Sequence, residues 1–185
     1  MEKKKKILLG STAGLILLLI LTRKKMATIV KSMVSDTDKK NFITQVTPTI
    51  TSIAKQIGVP PLFMLAQVCL ESRFGASTLS KNYYNYGGIK AAPGQPFITM
   101  KTTECKNGVC KIVNQNFRKF NSVSDGLQGQ KIVLTNKYFK PYLNKTSDPL
   151  RYAQLLQSGA IKYATSPNYV KNIGNALKEI NRLLT

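Results

Sequence analysis

The sequence contains no histidine and no tryptophan, and only 8 of its 185 residues are acidic. Without imidazole, a Ser-His-Asp triad, a Cys-His nucleophile and a His-ligated zinc hydrolase are all excluded. The three cysteines, Cys69, Cys105 and Cys110, fall short of the usual four-ligand zinc set. Neither a metal nor a cofactor is expected. Proton chemistry in this chain therefore falls to carboxylates, and the candidates are Glu2, Asp36, Asp38, Glu71, Glu104, Asp125, Asp148 and Glu179.

What the chain has in excess is positive charge: 28 Lys and Arg give a formal net charge of +20. The surplus is spread along the chain and persists beyond residue 40. Such a surface attracts polyanions, whether nucleic acid, anionic lipid or an acidic wall polymer, and it does not choose among them.

Residues 7–22 form the one long uncharged apolar run, framed by Lys3–Lys6 and Arg23–Lys25. As a helix it spans roughly 24 Å, short of a hydrocarbon core of about 30 Å, but flanking lysines can snorkel to close the gap. No small-residue cleavage site follows it, so an uncleaved membrane anchor over 1–25 is expected rather than a signal peptide. Residues 26–37 read as a tether, and 38–185 as one folded domain of ordinary size.

Within that domain, helix-spaced apolar residues run from Asp38 to Gln56, with Pro48 predicting a kink or two short helices. Gly58 stops this segment. Pro60–Pro61 opens a second helix reaching about Ser72, whose stripe of Leu62, Leu65, Ala66 and Cys69 suits a core. Glu71 sits in its last turn. The helix macrodipole disfavours an anion there, and partial burial beside Phe63 or Phe74 acts in the same direction. Both would raise the carboxyl pKa and keep a proton available for general-acid chemistry; a solvated surface glutamate near a helix end is the alternative.

The stretch "SKNYYNYGGIKAAPG" (80–94) then interleaves Asn, Tyr and Gly. Tyr83, Tyr84 and Tyr86 offer flat rings, and Asn82 and Asn85 offer amides, which suits a sugar-binding lip or plain turn chemistry. In "TMKTTECKNGVCKIV" (99–113), Asn107–Gly108 signals a two-residue hairpin turn. That register sets Cys105 opposite Cys110, within disulfide reach, and Glu104 on the other face; two reduced thiols are the alternative. Helical patterns return at 126–138, 149–157 and 167–184. Helices around one small hairpin make an α+β domain, mainly helical.

The segments "LAQVCLESRFGAS", "NYGGIK", "TTECKNG", "FRKFNSVSDG" and "YATSPNY" follow one another in an order that resembles glycoside hydrolase family 73. These are bacterial glucosaminidases, including the flagellar peptidoglycan hydrolase domain. The resemblance spans about residues 40–183. It implies a lysozyme-like α+β fold and cleavage of the β-1,4 bond between N-acetylglucosamine and N-acetylmuramic acid. By that resemblance Glu71 is the catalytic acid, Glu104 a second carboxylate and Tyr163 a residue lining the catalytic centre. Phe74, Tyr84, Asn85, Tyr86 and Tyr169 are the expected substrate-binding residues. Phe74 stands where Trp is common, Gly87 replaces the usual aromatic before Gly88, and Ser166 stands where Asp is common.

The expectation is thus a hydrolase of peptidoglycan, tied to membrane lipid through residues 7–22, with its domain facing a wall in a bacterial envelope or a phage particle. "ESRF" also suits a lytic transglycosylase, against which "NYGGIK" and Glu104 speak. A noncatalytic basic protein holding nucleic acid is the remaining alternative, and nucleic acid is not the expected partner of the enzyme. The sequence leaves the oligomeric state open.

Overall fold

The computed structural model describes residues 34–106, 109–164 and 166–185, with the side chains of 104–110 excepted. The expected anchor (1–25), most of the tether, the Asn107–Gly108 turn and any bond between Cys105 and Cys110 lie outside the described residues. Among those that are described, no helix is long and apolar enough to cross a membrane.

The first helix, α1 (Asp36–Ile57), begins where Ser35 caps it. The Ser35 hydroxyl accepts from the Asp38 amide at 3.1 Å and donates to the Asp38 carboxylate at 2.7 Å. Phe42, Ile43, Val46, Ile50, Ile53, Ala54 and Ile57 form its buried stripe. The helix continues through Pro48 as one element, so the alternative of two short helices is not what forms. Pro48 and Thr44, whose carbonyl the proline leaves without an amide donor, both lie on the exposed face, where water can serve that carbonyl. Gly58, at φ 72°, ends α1 in the left-handed conformation that glycine adopts without steric cost.

Helix α2 (Pro61–Ser72) is apolar nearly all round and runs through the middle of the lobe. Phe63, Met64, Leu65, Ala66, Val68 and Cys69 are each no more than 3% exposed. Full burial of side chains such as Phe, Met or Leu stabilises a fold by about 1.5–3 kcal/mol each, so α2 is the principal apolar element of the lobe. Around it pack α1, α5 (Pro149–Ser158) and α6 (Tyr169–Leu184), while α4 (Val123–Leu134) packs on α1. Short α3 (Thr78–Tyr83) leads into the 80s loop.

Strands β1 (Phe97–Lys106) and β2 (Val109–Arg118) form one antiparallel pair. The register sets Glu104 against Lys111 and Cys105 against Cys110, as an Asn107–Gly108 turn requires. The less exposed face carries Ile98, Met100 and Thr102 from β1 with Val113, Gln115 and Phe117 from β2. The hairpin is fastened to the lobe at its base. Arg118 N–H donates to Ile89 O at 2.8 Å, Phe120 N–H to Tyr83 O at 3.0 Å, and Ala91 N–H to Asn116 O at 3.0 Å.

Candidate active site

The site starts from how the lobe uses its acids. Asp36 and Glu179 are paired with Arg182, and Glu179 also accepts from Lys39 at 2.6 Å. Asp148 caps α5 by accepting from the Arg151 amide at 2.7 Å. Asp38 belongs to the α1 cap, and Asp125 lies in the first turn of α4, where a helix N-terminus favours an anion. Glu71 has neither an ion pair nor a capping role among the described residues. It stands in the last turn of α2, where no basic residue offsets the negative helix end.

The Glu71 side chain reaches solvent, yet enough protein packs around its carboxyl to raise the pKa above the ordinary glutamate value, burial being the cause. The neighbouring polar group lies one turn back along α2. Gln67, on the same helical face, is 1% exposed. Its Nε2 donates to Tyr163 Oη at 3.3 Å, and its Oε1 accepts from Tyr169 Oη at 2.6 Å. The Tyr163 ring lies between Phe139 and Tyr169, with centroids at 5.1 and 5.6 Å.

Both phenols have pKa values pushed far up, first by burial; the negative charge of Glu71 adds to this for each of them. They are therefore neutral at any working pH. Because Tyr163 Oη accepts from Gln67, its own O–H hydrogen remains available for a carboxylate, a water or a sugar oxygen. The arrangement is a carboxyl poised to be protonated above a neutral hydrogen-bonded platform.

The sequence pattern alone assigns Gln67 no role. The signal is present: it is the one amide in a largely apolar helix, four residues before the catalytic candidate. Its meaning depended on Tyr163 and Tyr169, about a hundred residues away in sequence, arriving at the same place.

The other named residues fall in different surroundings. Asn85 is 1% exposed, its Nδ2 donating to Ile89 O at 2.9 Å and Arg118 O at 2.8 Å, while Oδ1 accepts from Ile89 N–H at 2.8 Å. It fastens the 80s loop to the base of β2. Tyr86 is 4% exposed and packs on Phe42 at 5.7 Å. Tyr84 ends α3 with a left-handed φ of 52° and packs half-buried on the core. Phe74 packs at the α2–α6 seam with the Lys39 ammonium 5.4 Å from its ring centre. At Gly87, the space that a Cβ would fill is taken by the Gln130 carboxamide, which reaches within 1.7 Å of that position. Position 104 shares the strand parity of Ile98, Met100 and Thr102 near the hairpin end. The structure thus brings Glu71, Tyr163 and Tyr169 together with Gln67, and places Phe74, Tyr84, Asn85 and Tyr86 outside that hydrogen-bonded cluster.

Residues 47–182 match the family described as "Glucosaminidase: Mannosyl-glycoprotein endo-beta-N-acetylglucosaminidase". The chain belongs to the glucosaminidase family. It is 29% identical over 152 residues to the peptidoglycan hydrolase FlgJ of Escherichia coli O157:H7, covering 79% of this chain and 48% of that protein. It is 30% identical over 145 residues to a probable N-acetylmuramidase of Lactococcus lactis subsp. lactis (strain IL1403), covering 76% and 33%. The chain therefore spans half or less of these relatives' lengths. The catalytic domain of the autolysin Auto from Listeria monocytogenes superposes with a TM-score of 0.66 at 25% identity, covering 89% of this chain and 96% of that one. The fold of this glucosaminidase is accordingly lysozyme-like α+β, mainly helical with a two-stranded sheet.

Proposed function

We propose that this domain hydrolyses the glycan of peptidoglycan, at the β-1,4 bond between N-acetylglucosamine and N-acetylmuramic acid, with Glu71 as the general acid. The observation that carries the reading is the raised pKa of a carboxyl with no ion pair or cap, set beside the Gln67–Tyr163–Tyr169 network in a glucosaminidase family member. Glu71 gives its proton to the bridging oxygen as the glycosidic bond breaks. The electron pair stays on the departing sugar's hydroxyl. A water then adds to the anomeric carbon and returns a proton to the site. Tyr163, with its free O–H, orients the Glu71 carboxyl, the water or the substrate acetamido group. Glu104 is the carboxylate assigned to water activation or charge stabilisation. This chemistry requires no metal or cofactor.

The test is Glu71→Gln on purified peptidoglycan, followed by mass spectrometry of the digest. The variant should clear no wall while keeping the wild-type helical circular-dichroism spectrum. Clearing at the wild-type rate would end the assignment. Wild-type digests should carry reducing N-acetylglucosamine ends. A second reading is favoured by the Lactococcus relative, whose name is that of a muramidase. It predicts reducing N-acetylmuramic acid ends instead, and a lytic transglycosylase would leave anhydro-muramic ends.

The same reading places the domain on the wall-facing side of a membrane, tied to its lipid through residues 7–22; the uncharged run framed by lysines supports this. Release by detergent but not by high salt is the expected fractionation. Purified virions or uninfected host membranes containing the protein would separate the phage setting from the bacterial one. The reading also includes a Cys105–Cys110 disulfide, supported by their opposed positions in the register. Alkylation with and without reductant, read by mass spectrometry, tests it.

A further inference from the structure

We propose that the groove between the end of α2 and the face of α6 receives the short peptide carried by muramic acid, so that this enzyme reads peptide as well as glycan. The proposal rests on the hydrolase reading above and extends its substrate from bare sugar to peptide-bearing strands.

After Ser72, Arg73 and Phe74 both take φ 54°, in the left-handed region that bulky L-residues seldom adopt. Two such residues in succession persist only where their surroundings over-determine them. Phe74 N–H donates to Cys69 O at 2.7 Å and Arg73 N–H to Leu70 O at 3.3 Å, which fixes the turn. Gly75 follows at φ 75°, and a Cβ there would lie 2.5 Å from the Phe42 ring. The turn delivers Arg73 and Phe74 to the wall of a groove of about 300 Å³, completed by Leu70, Asn172, Asn175 and Ala176.

Three polar groups of this groove are uncommitted among the described residues. The Arg73 guanidinium and the carboxamides of Asn172 and Asn175 make no hydrogen bond or ion pair with the described residues. A carboxamide offers donors and an acceptor together, the complement of a peptide main chain. A guanidinium takes a carboxylate through two parallel N–H bonds. Leu70, Phe74 and Ala176 give an apolar floor suited to small aliphatic side chains. Glu179 closes one end, and its charge is already met by Lys39 and Arg182, so it does not oppose an incoming carboxylate. The groove is also close to the chemistry. Asn172 follows Tyr169 by three residues, roughly 4.5 Å along the α6 axis, and Tyr169 is hydrogen-bonded to Gln67 beside Glu71.

The experiment compares the full chain, Arg73→Gln and Asn175→Leu on peptide-bearing glycan strands and on the same strands stripped by an amidase. Circular dichroism checks that each variant folds. Arg73→Gln should raise KM about tenfold on the peptide-bearing strands, the loss of one charge-assisted contact, with kcat nearly constant and little change in KM on stripped strands. Independently of turnover, muramyl dipeptide should shift the Asn172 and Asn175 side-chain amide resonances, and N-acetylmuramic acid alone should not. Equal KM changes on both substrates, no change on either, or amide signals unmoved by muramyl dipeptide would overturn the proposal. A wild-type chain that releases no sugar from either strand overturns the hydrolase reading instead, and the amide resonances still decide the groove.

Discussion

The helical lobe and the hairpin are built on opposite principles. In the lobe, α2 is enclosed by neighbours on nearly every side, and residues such as Phe63, Met64, Ala66 and Val68 are 0% exposed. In the hairpin, two ten-residue strands form the sheet, with one further bridge at the base between Lys90 and Phe117, and Ile112 is 75% exposed. A two-stranded ribbon is marginal by itself in water, so this one depends on its attachment at the base through Asn85, Ile89 and Arg118. The contrast bears directly on the two carboxylates. Glu71 rides on the most deeply buried helix among the described residues, whereas Glu104 rides toward the distal end of an arm about 33 Å long. The acid proposed at Glu71 is positioned by the fold, and the carboxylate proposed at Glu104 by whatever orients the arm.

The comparison can be broken most severely at Glu71. Glu71→Gln should reduce wall hydrolysis by about 10³-fold or more, within or above the usual range for a general acid. It should also raise Tm at neutral pH. A carboxyl whose folded pKa lies above its unfolded one favours folding fully below the unfolded pKa, and that contribution is lost as pH rises through the folded value. The Tm advantage of the glutamine variant should therefore vanish in acid, where both side chains are neutral.

Asn85→Ala sharpens the contrast from the other side. Three hydrogen bonds disappear, and partners left unmet in a buried loop cost about 1–3 kcal/mol each at most. Hydrolysis should fall about tenfold or more through the loosened arm, if 1–2 kcal/mol of positioning is lost. Hydrogen exchange should accelerate in β1 and β2 and remain slow in α2. Equal acceleration in both would show that lobe and arm are not mechanically distinct.

Tyr163→Phe keeps the ring between Phe139 and Tyr169 and removes only the hydroxyl. It should lower kcat about tenfold, corresponding to one lost hydrogen bond of about 1.4 kcal/mol, and lower Tm modestly because the buried Gln67 amide loses its acceptor. The smallest effect is expected at Glu179, whose ion pair with Arg182 is largely solvent-exposed. The Arg182 and Lys39 hydrogen bonds hold its pKa at about 2, so its contribution to stability is present above the ordinary glutamate pKa and is lost as pH falls toward 2. Glu179→Gln should cost less than about 1 kcal/mol at neutral pH, as exposed ion pairs do, and nothing in strong acid.

Much of this organisation could be read from the residues, for physical reasons that differ by element. The hairpin register follows from local turn chemistry, and Cys105 does stand opposite Cys110. The end of α2 near Ser72 follows from helix periodicity and a nearby glycine. Pro48 does not divide α1 in two because the Thr44 carbonyl it leaves without a donor is on the exposed face, where water can serve it. The 80s loop suggested an open lip because Asn and Tyr serve equally as ligand contacts and as buried fasteners. Only contacts with Phe42 and Arg118, remote in sequence, show Tyr86 and Asn85 in the second role. Gln67 was obscure for the same reason.

The central claim is that Glu71 keeps its proton where an ordinary glutamate has lost it. Carboxyl carbon NMR on the labelled full chain measures this directly, with Glu71→Gln identifying the resonance. The account predicts that Glu71 titrates above the ordinary glutamate value and that kcat/KM on peptidoglycan declines through the same pH as the proton leaves. A Glu71 carboxyl that titrates at or below the ordinary value, with hydrolysis undiminished well above that pH, would contradict it.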